Sequence, residues 1–141
     1  MVVVDANVLL YAVDRASAHH ERSRSWLDAS LAGAEAVGLA WIALLAFIRI
    51  GTNASIFPTA LTADEATGQV ETWLGAPAAV IAQPTSRHAR VLRGLLLDTG
   101  TAGNLTTDAY LAALALEHGA DIVSYDRDFA RFPGIQHRLP G

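Results

Sequence analysis

Four aspartates stand where a folded α/β chain could bring them together. Asp5 directly follows the β-branched run Val2–Val4. Asp126 lies two residues past Ser124, at the end of a second apolar run, and Asp128 follows at i+2. Asp108 falls in the first turn of a predicted helix, after Thr106 and Thr107. If the two runs are parallel strands, all four carboxylates converge on one edge of the sheet. Such a cluster repels itself unless a cation compensates. The donors are oxygens, with no cysteine and no histidine at close ligand spacing, which favours Mg²⁺ or Mn²⁺ over zinc. A site of this kind suits hydrolysis of a phosphodiester, where the ion activates water and neutralises phosphate charge. Taken singly, the acids have ordinary explanations. Asp108 complements a helix dipole, and Asp126-Arg127-Asp128 can be a polar turn. Asp5 is the hardest to dismiss, because a carboxylate right after a buried strand is desolvated unless paired.

The elements that must position these acids follow from patterning. Val2–Val4 reads as a buried parallel strand, and Asn7 can cap a short helix from Val8 to about Ala12. A second helix is predicted from Ser17 to Leu31, with His19–Ser25 as a solvated face. A strand at Ala36–Leu39 and a buried helix at Ile42–Ile50 follow. Thr62-Ala-Asp-Glu65 matches a capping box and opens a helix that ends near Gly75. Ala79–Ala82 reads as a strand. Thr85 or Ser86 can cap a helix through Leu97, with Gly100 beyond it. Gly103 precedes a helix from about Thr107 to His118, closed by Gly119 as a left-handed cap. Asp121–Ser124 is a strand, Phe129–Phe132 a short turn or helix, and Gln136–Leu139 an edge strand. Repeated strand–helix alternation predicts a three-layer α/β/α fold, with a mostly parallel sheet flanked by helices. Ligands of such sheets gather at the carboxyl ends of the strands.

Composition narrows the class. The 141 residues carry 52% hydrophobic and 17% charged side chains, enough apolar surface for a core, and are expected to form a single domain over 1–141. There is no cysteine, hence no disulfide framework or zinc-thiolate site. No signal peptide or membrane span is expected, which points to the cytoplasm. The net charge of −4 argues against a whole-surface nucleic-acid binder but leaves room for a local basic groove. All ten bases are arginine, suited to bidentate phosphate contacts, although a GC-rich genome would give the same bias.

Other residues bear on the same chemistry. Arg87, Arg90 and Arg93 recur at three-residue spacing and form one stripe, either a grip on an RNA backbone or a solvated helix face. Arg49 could contact phosphate or pair with Asp5 or Asp108. His19 and His20 read as a solvated surface pair, and His88 and His137 as isolated. Trp26, Trp41 and Trp73 sit in apolar company that suits a core or an interface.

Three blocks together, VVVDANVLLYAVD, WIALLAFIRIGTN and TAGNLTTDAYLAALALEHGADIVSYDRDFARFPG, resemble the PIN-domain ribonucleases, in particular the VapC toxin branch of type II toxin–antitoxin pairs. The resemblance spans nearly the whole chain. It implies that Asp5, Asp108 and Asp126 hold Mg²⁺, with Mn²⁺ possible, and that Asp128 assists. It also implies that Asn7 supports the site and that Ser124 orients a water. The implied activity is cleavage of structured RNA, a tRNA or an rRNA loop. The implied partners are a small VapB-like antitoxin and a second copy in a homodimer. One departure stands out. The family glutamate in a Glu-x-x-Arg context is Ala46 here, ahead of Arg49, which leaves fewer acids for a second ion. Two other readings use the same residues: a metal-dependent DNA nuclease or phosphohydrolase, and a PIN module that binds RNA or antitoxin without cutting.

Overall fold

A computed structural model describes residues 1–100 and 105–141. Its elements run β1 (Val2–Val4), α1 (Ala6–Val13), α2 (His20–Leu31), β2 (Val37–Leu39), α3 (Trp41–Gly51), α4 (Ala63–Leu74), β3 (Ala79–Ile81), α5 (His88–Thr99), α6 (Thr106–His118), β4 (Asp121–Val123) and β5 (His137–Arg138), with a 3-10 turn at Arg127–Arg131. The five strands form one sheet in the order β3-β2-β1-β4-β5. Every pairing is parallel. Helices cover both faces, as the alternation predicts, giving three layers. Gly103, expected to precede α6, lies outside the described residues.

The layers follow from period-2 patterning in the strands. Val2 and Val4 of β1, Val37 and Leu39 of β2, and Val123 of β4 face the core built with α1, α2, α3 and α4. Val3 and Ile122 face the opposite core, which takes α5, α6 and the 3-10 turn. β1 is central and buried on both faces, so its run is valine throughout rather than alternating. Gly38 of β2 has no room for a side chain, since a Cβ there would meet Met1 Cε at 2.8 Å and the Val2 carbonyl oxygen at 3.0 Å. No helix among the described residues is long and apolar enough to cross a membrane.

Local signals set several boundaries. Thr62 accepts from Glu65 N at 3.1 Å while Glu65 accepts from Thr62 N at 3.0 Å, the expected reciprocal box. Gly119 ends α6 at φ 62°, the left-handed conformation that a Cβ disfavours. Other boundaries differ from expectation. Asp5, not Asn7, caps α1 and takes the Ala6 N–H at 2.7 Å. The cap sits two residues earlier because the chain turns into the helix directly at the end of β1. α2 begins at His20 rather than Ser17. Neither Thr85 nor Ser86 caps α5; Arg87 holds that position without a side-chain bond, and the Thr85 hydroxyl accepts from Arg87 N at 3.2 Å, one residue short of the helix, while donating to Glu117.

α6 matters most for the site. Ala109 and Leu111–Ala115 are all buried, so this helix is packed nearly all round, against α5 as well as β1 and β4. Small alanines allow that close approach, and the rigid seat fixes Asp108 in the first turn.

Candidate active site at the carboxyl ends of β1 and β4

β1 and β4 are neighbours in register, with Val4 opposite Val123. Their next residues therefore meet. Asp5 N donates to the Val123 carbonyl at 3.0 Å, and Ser124 Oγ donates to Asp5 Oδ2 at 2.6 Å. Asn7 Nδ2 donates to Asp5 Oδ2 at 3.2 Å and to Ser124 Oγ at 3.1 Å. Its Oδ1 accepts from Tyr125 N at 3.2 Å. Asn7 thus ties α1 to the strand end after β4. Ser124 is fully buried. Its one proton goes to Asp5, and its lone pairs accept from Asn7 and from Asp126 N at 2.9 Å. A hydroxyl so occupied has nothing left for a water; it orients Asp5 instead.

Asp126 turns the chain into the 3-10 segment, where its Oδ1 accepts from Asp128 N at 2.9 Å. Asp128 itself is exposed and lies 3.8 Å from Arg131. Asp108 is half-buried and has no hydrogen-bond partner among the described residues.

The charges couple these groups. Burial pushes the Asp108 carboxyl up to about 6 from its ordinary 3.8, helped by Asp126, Asp5 and Asp128 in that order. Burial also raises Asp5, and Asp126 adds to it; the Ser124 and Ala6 hydrogen bonds and the nearby His137 pull the other way. Three carboxylates raising a fourth is the electrostatic sign of a cation-seeking cluster. No three acids or histidines among the described residues are closed onto one point as a finished ligand cage. The donor set nonetheless fits a hard divalent ion. It is all oxygen, Asp108 is unpartnered, and a positive charge would relieve the repulsion that now raises Asp108.

The remaining residues sort differently. Arg49 is exposed in the last turn of α3 and pairs with neither Asp5 nor Asp108. Ala46 sits half-buried on that helix. Arg87 bonds the Glu117 carbonyl through Nη2 at 3.1 Å, so the stripe on α5 leaves Arg90 and Arg93 exposed and without a partner among the described residues. Two histidines that read as isolated are not. His137 Nε2 donates to the Ser124 carbonyl at 2.8 Å. His88 Nδ1 lies 2.6 Å from Glu117 Oε2. The surface pair also splits: His19 is exposed, but His20 is buried, with Nδ1 donating to the Tyr11 carbonyl at 2.9 Å.

Sequence reasoning missed Tyr125. It stacks on His19 with centroids 4.3 Å apart and meets Tyr11 edge-on at 5.3 Å. The aromatic residue between Ser124 and Asp126 was the signal available.

The fold is a parallel α/β sheet with carboxylates gathered at the carboxyl ends of two neighbouring strands. Residues 2–135 match the PIN domain family. Ribonuclease VapC37 of Mycobacterium tuberculosis is 54% identical over 99% of this chain and 97% of its own. Ribonuclease VapC33 of the same species is 38% identical over 99% and 98%. The crystal structure of VapBC2 from Rickettsia felis bound to a promoter DNA fragment superposes with a TM-score of 0.71 at 19% identity, covering 99% of this chain and 98% of that one, which is a likeness of fold. The chain belongs to the PIN-domain family, in its VapC branch.

Proposed function

We propose that this chain is the toxin of a VapBC-type pair, a Mg²⁺-dependent endoribonuclease that hydrolyses phosphodiester bonds of structured RNA, a tRNA or an rRNA loop. The observation that carries it is the gathering of Asp5, Asp126 and Asp108 at the carboxyl ends of β1 and β4 and the start of α6, near enough for Asp126 and Asp5 to raise the Asp108 carboxyl. Similarity to Ribonuclease VapC37 over the full chain supports the same activity. Asp5, Asp108 and Asp126 would hold the ion, with Mn²⁺ an alternative. The ion supplies positive charge to the phosphate and acidifies water. The chain's own residues do the rest. Ser124 and Asn7 hold the Asp5 carboxylate in one orientation. Asp126 ties down the turn that carries Asp128, which would assist by hydrogen bonding or by positioning a water. Arg49, Arg87, Arg90 and Arg93 are the candidate RNA contacts, with Arg90 and Arg93 the most available.

The unit acts as one domain, residues 1–141, in the cytoplasm. Its partner is a small VapB-like antitoxin whose arginine could enter the acidic cleft in place of the cation; the VapBC2 likeness supports a partner of this kind. The toxin is a homodimer. Trp41 and Leu45, one turn apart on α3 and 45% and 58% exposed, support a covered apolar face.

Incubation with matched RNA and DNA in Mg²⁺ and in EDTA tests this. RNA is cut in Mg²⁺ alone, and Asp108→Asn abolishes cutting. Cleavage of DNA alone overturns the ribonuclease reading. Ala46, in place of the family glutamate, favours a second reading as a non-cutting binder. Equal growth arrest by wild type and Asp5→Ala on expression would select it.

A further inference from the structure

A cavity of about 260 Å³ opens at the C-terminal end of α1, between α2 and α4. Arg15, Arg24, His20 and Gln69 line it, with Asp28 as its one carboxylate and Trp73 beside them. Arg15 is exposed and has no hydrogen bond or ion pair among the described residues. Arg24 reaches Asp28 only at 3.8 Å, both side chains well exposed, so that pair holds it weakly. His20 Nδ1 donates to the Tyr11 carbonyl, so Nε2 of the neutral ring is an acceptor and the anion's donors are the guanidiniums. Two guanidiniums against one carboxylate select an anion.

The cavity is joined to the acidic cleft by rings. His20 follows His19, and His19 stacks on Tyr125 at an interplanar angle of 29°. Tyr11 packs against both, at 5.2 and 5.3 Å. Tyr125 is anchored by a 2.7 Å bond between its hydroxyl and the buried Ser23, and its chain neighbours are Ser124 and Asp126. α1 spans eight residues, so Asp5 and the cavity are separated by roughly 12 Å of helix. Two to four nucleotides of strand, at roughly 3.4 Å each or more when extended, bridge that gap.

We propose that this cavity is a subsite for a backbone phosphate of single-stranded RNA, reached across the Tyr11, His19 and Tyr125 rings on which a base stacks. The proposal rests on the ribonuclease reading. A polyanion approaching four carboxylates needs local positive charge to stay bound, and Arg15 and Arg24 supply it at the cavity. An acidic peptide could use the charges but has no use for the rings, whereas every nucleobase has a face to stack.

The test is anisotropy titration of a fluorescein-labelled oligouridylate in EDTA, across a salt series. Arg15→Gln with Arg24→Gln weakens binding at least tenfold at low salt, and the log–log salt dependence becomes shallower by about 0.7 for each phosphate no longer neutralised. His19→Ala weakens binding about tenfold with the salt slope unchanged. Wild-type affinity and slope in the double arginine variant overturn the proposal. Should that variant melt early, Arg15→Lys with Arg24→Lys keeps both charges and retains most of the binding; failure to do so with a native melt also overturns it. A parallel titration uses labelled oligoglutamate. Loss of oligoglutamate with oligouridylate retained marks a peptide site and sinks the proposal. Cleavage of RNA by wild type in Mg²⁺ is followed separately. If it fails, the functional reading fails; if it succeeds while the variants bind normally, only the subsite does.

Discussion

Ser124 Oγ donates to Asp5 Oδ2 at 2.6 Å, joining residues 119 positions apart at the carboxyl ends of two neighbouring strands. This bond lowers a carboxyl that burial and Asp126 raise, so it helps keep Asp5 ionised and aimed. Ser124→Ala leaves the buried Asp5 short of a donor and Asp126 N short of an acceptor. We expect a stability loss of about 1–3 kcal/mol in urea melts. The acid limb of the pH–rate profile should move to higher pH, because Asp5 becomes harder to ionise. Ser124→Thr keeps the hydroxyl and should hold the limb in place.

Asp108 bears on stability as well as chemistry. Its carboxyl titrates near 6 in the fold and near 3.8 when unfolded. The folded state therefore prefers the proton. The destabilisation is absent below about pH 4, grows as pH rises, and is complete above about pH 6. Because the side chain is half-exposed, solvent screening reduces the effect to about 1 kcal/mol. Asp108→Asn should be more stable than wild type at pH 7.5, equal to it near pH 4, and inactive. Urea denaturation at both pH values checks this; unfolding of the variant would make the carboxylate structural.

A divalent ion should stabilise the protein by binding the folded state alone. Thermal melts in Mg²⁺ against EDTA should show a rise at pH 7.5 that shrinks as pH falls through 6, where protons compete for Asp108. The rise should be lost in Asp108→Asn and in Asp126→Asn. A rise that survives in both variants would place the ion elsewhere.

Glu117 should prove structural. Its shielded carboxylate accepts Thr85 N at 2.9 Å and Thr85 Oγ at 2.5 Å, and contacts His88 Nδ1 at 2.6 Å. Burial opposes its ionisation, but the bonds from Thr85 and His88 outweigh that and lower its carboxyl. Its contribution is present above the usual carboxylate range and is lost as pH falls through the lowered value. Glu117→Gln should lose about 1–3 kcal/mol in melts at pH 7, while RNA cleavage per folded molecule stays the same.

Much of the site was legible one residue at a time. The four aspartates, the capping box at Thr62 and Glu65, the left-handed Gly119 and the strand–helix alternation are local in sequence. Each is set by bonds within a few residues or by a period along one element. Asparagine at position 7 illustrates the limit. It has the right residue type for a cap, yet Asp5 takes that place, and Asn7 instead bonds Ser124 and Tyr125.

The sequence by itself determined which residues could do chemistry, and the order of elements that would carry them. Only the tertiary structure decided that Ser124 would orient Asp5, that His137 would hold the Ser124 carbonyl, that His88 would meet Glu117, and that His19 would stack on Tyr125. These contacts join residues from 13 to 119 positions apart. They leave no periodicity in the chain, because they depend on which strands become neighbours and in what register, and that is settled by packing of the whole sheet.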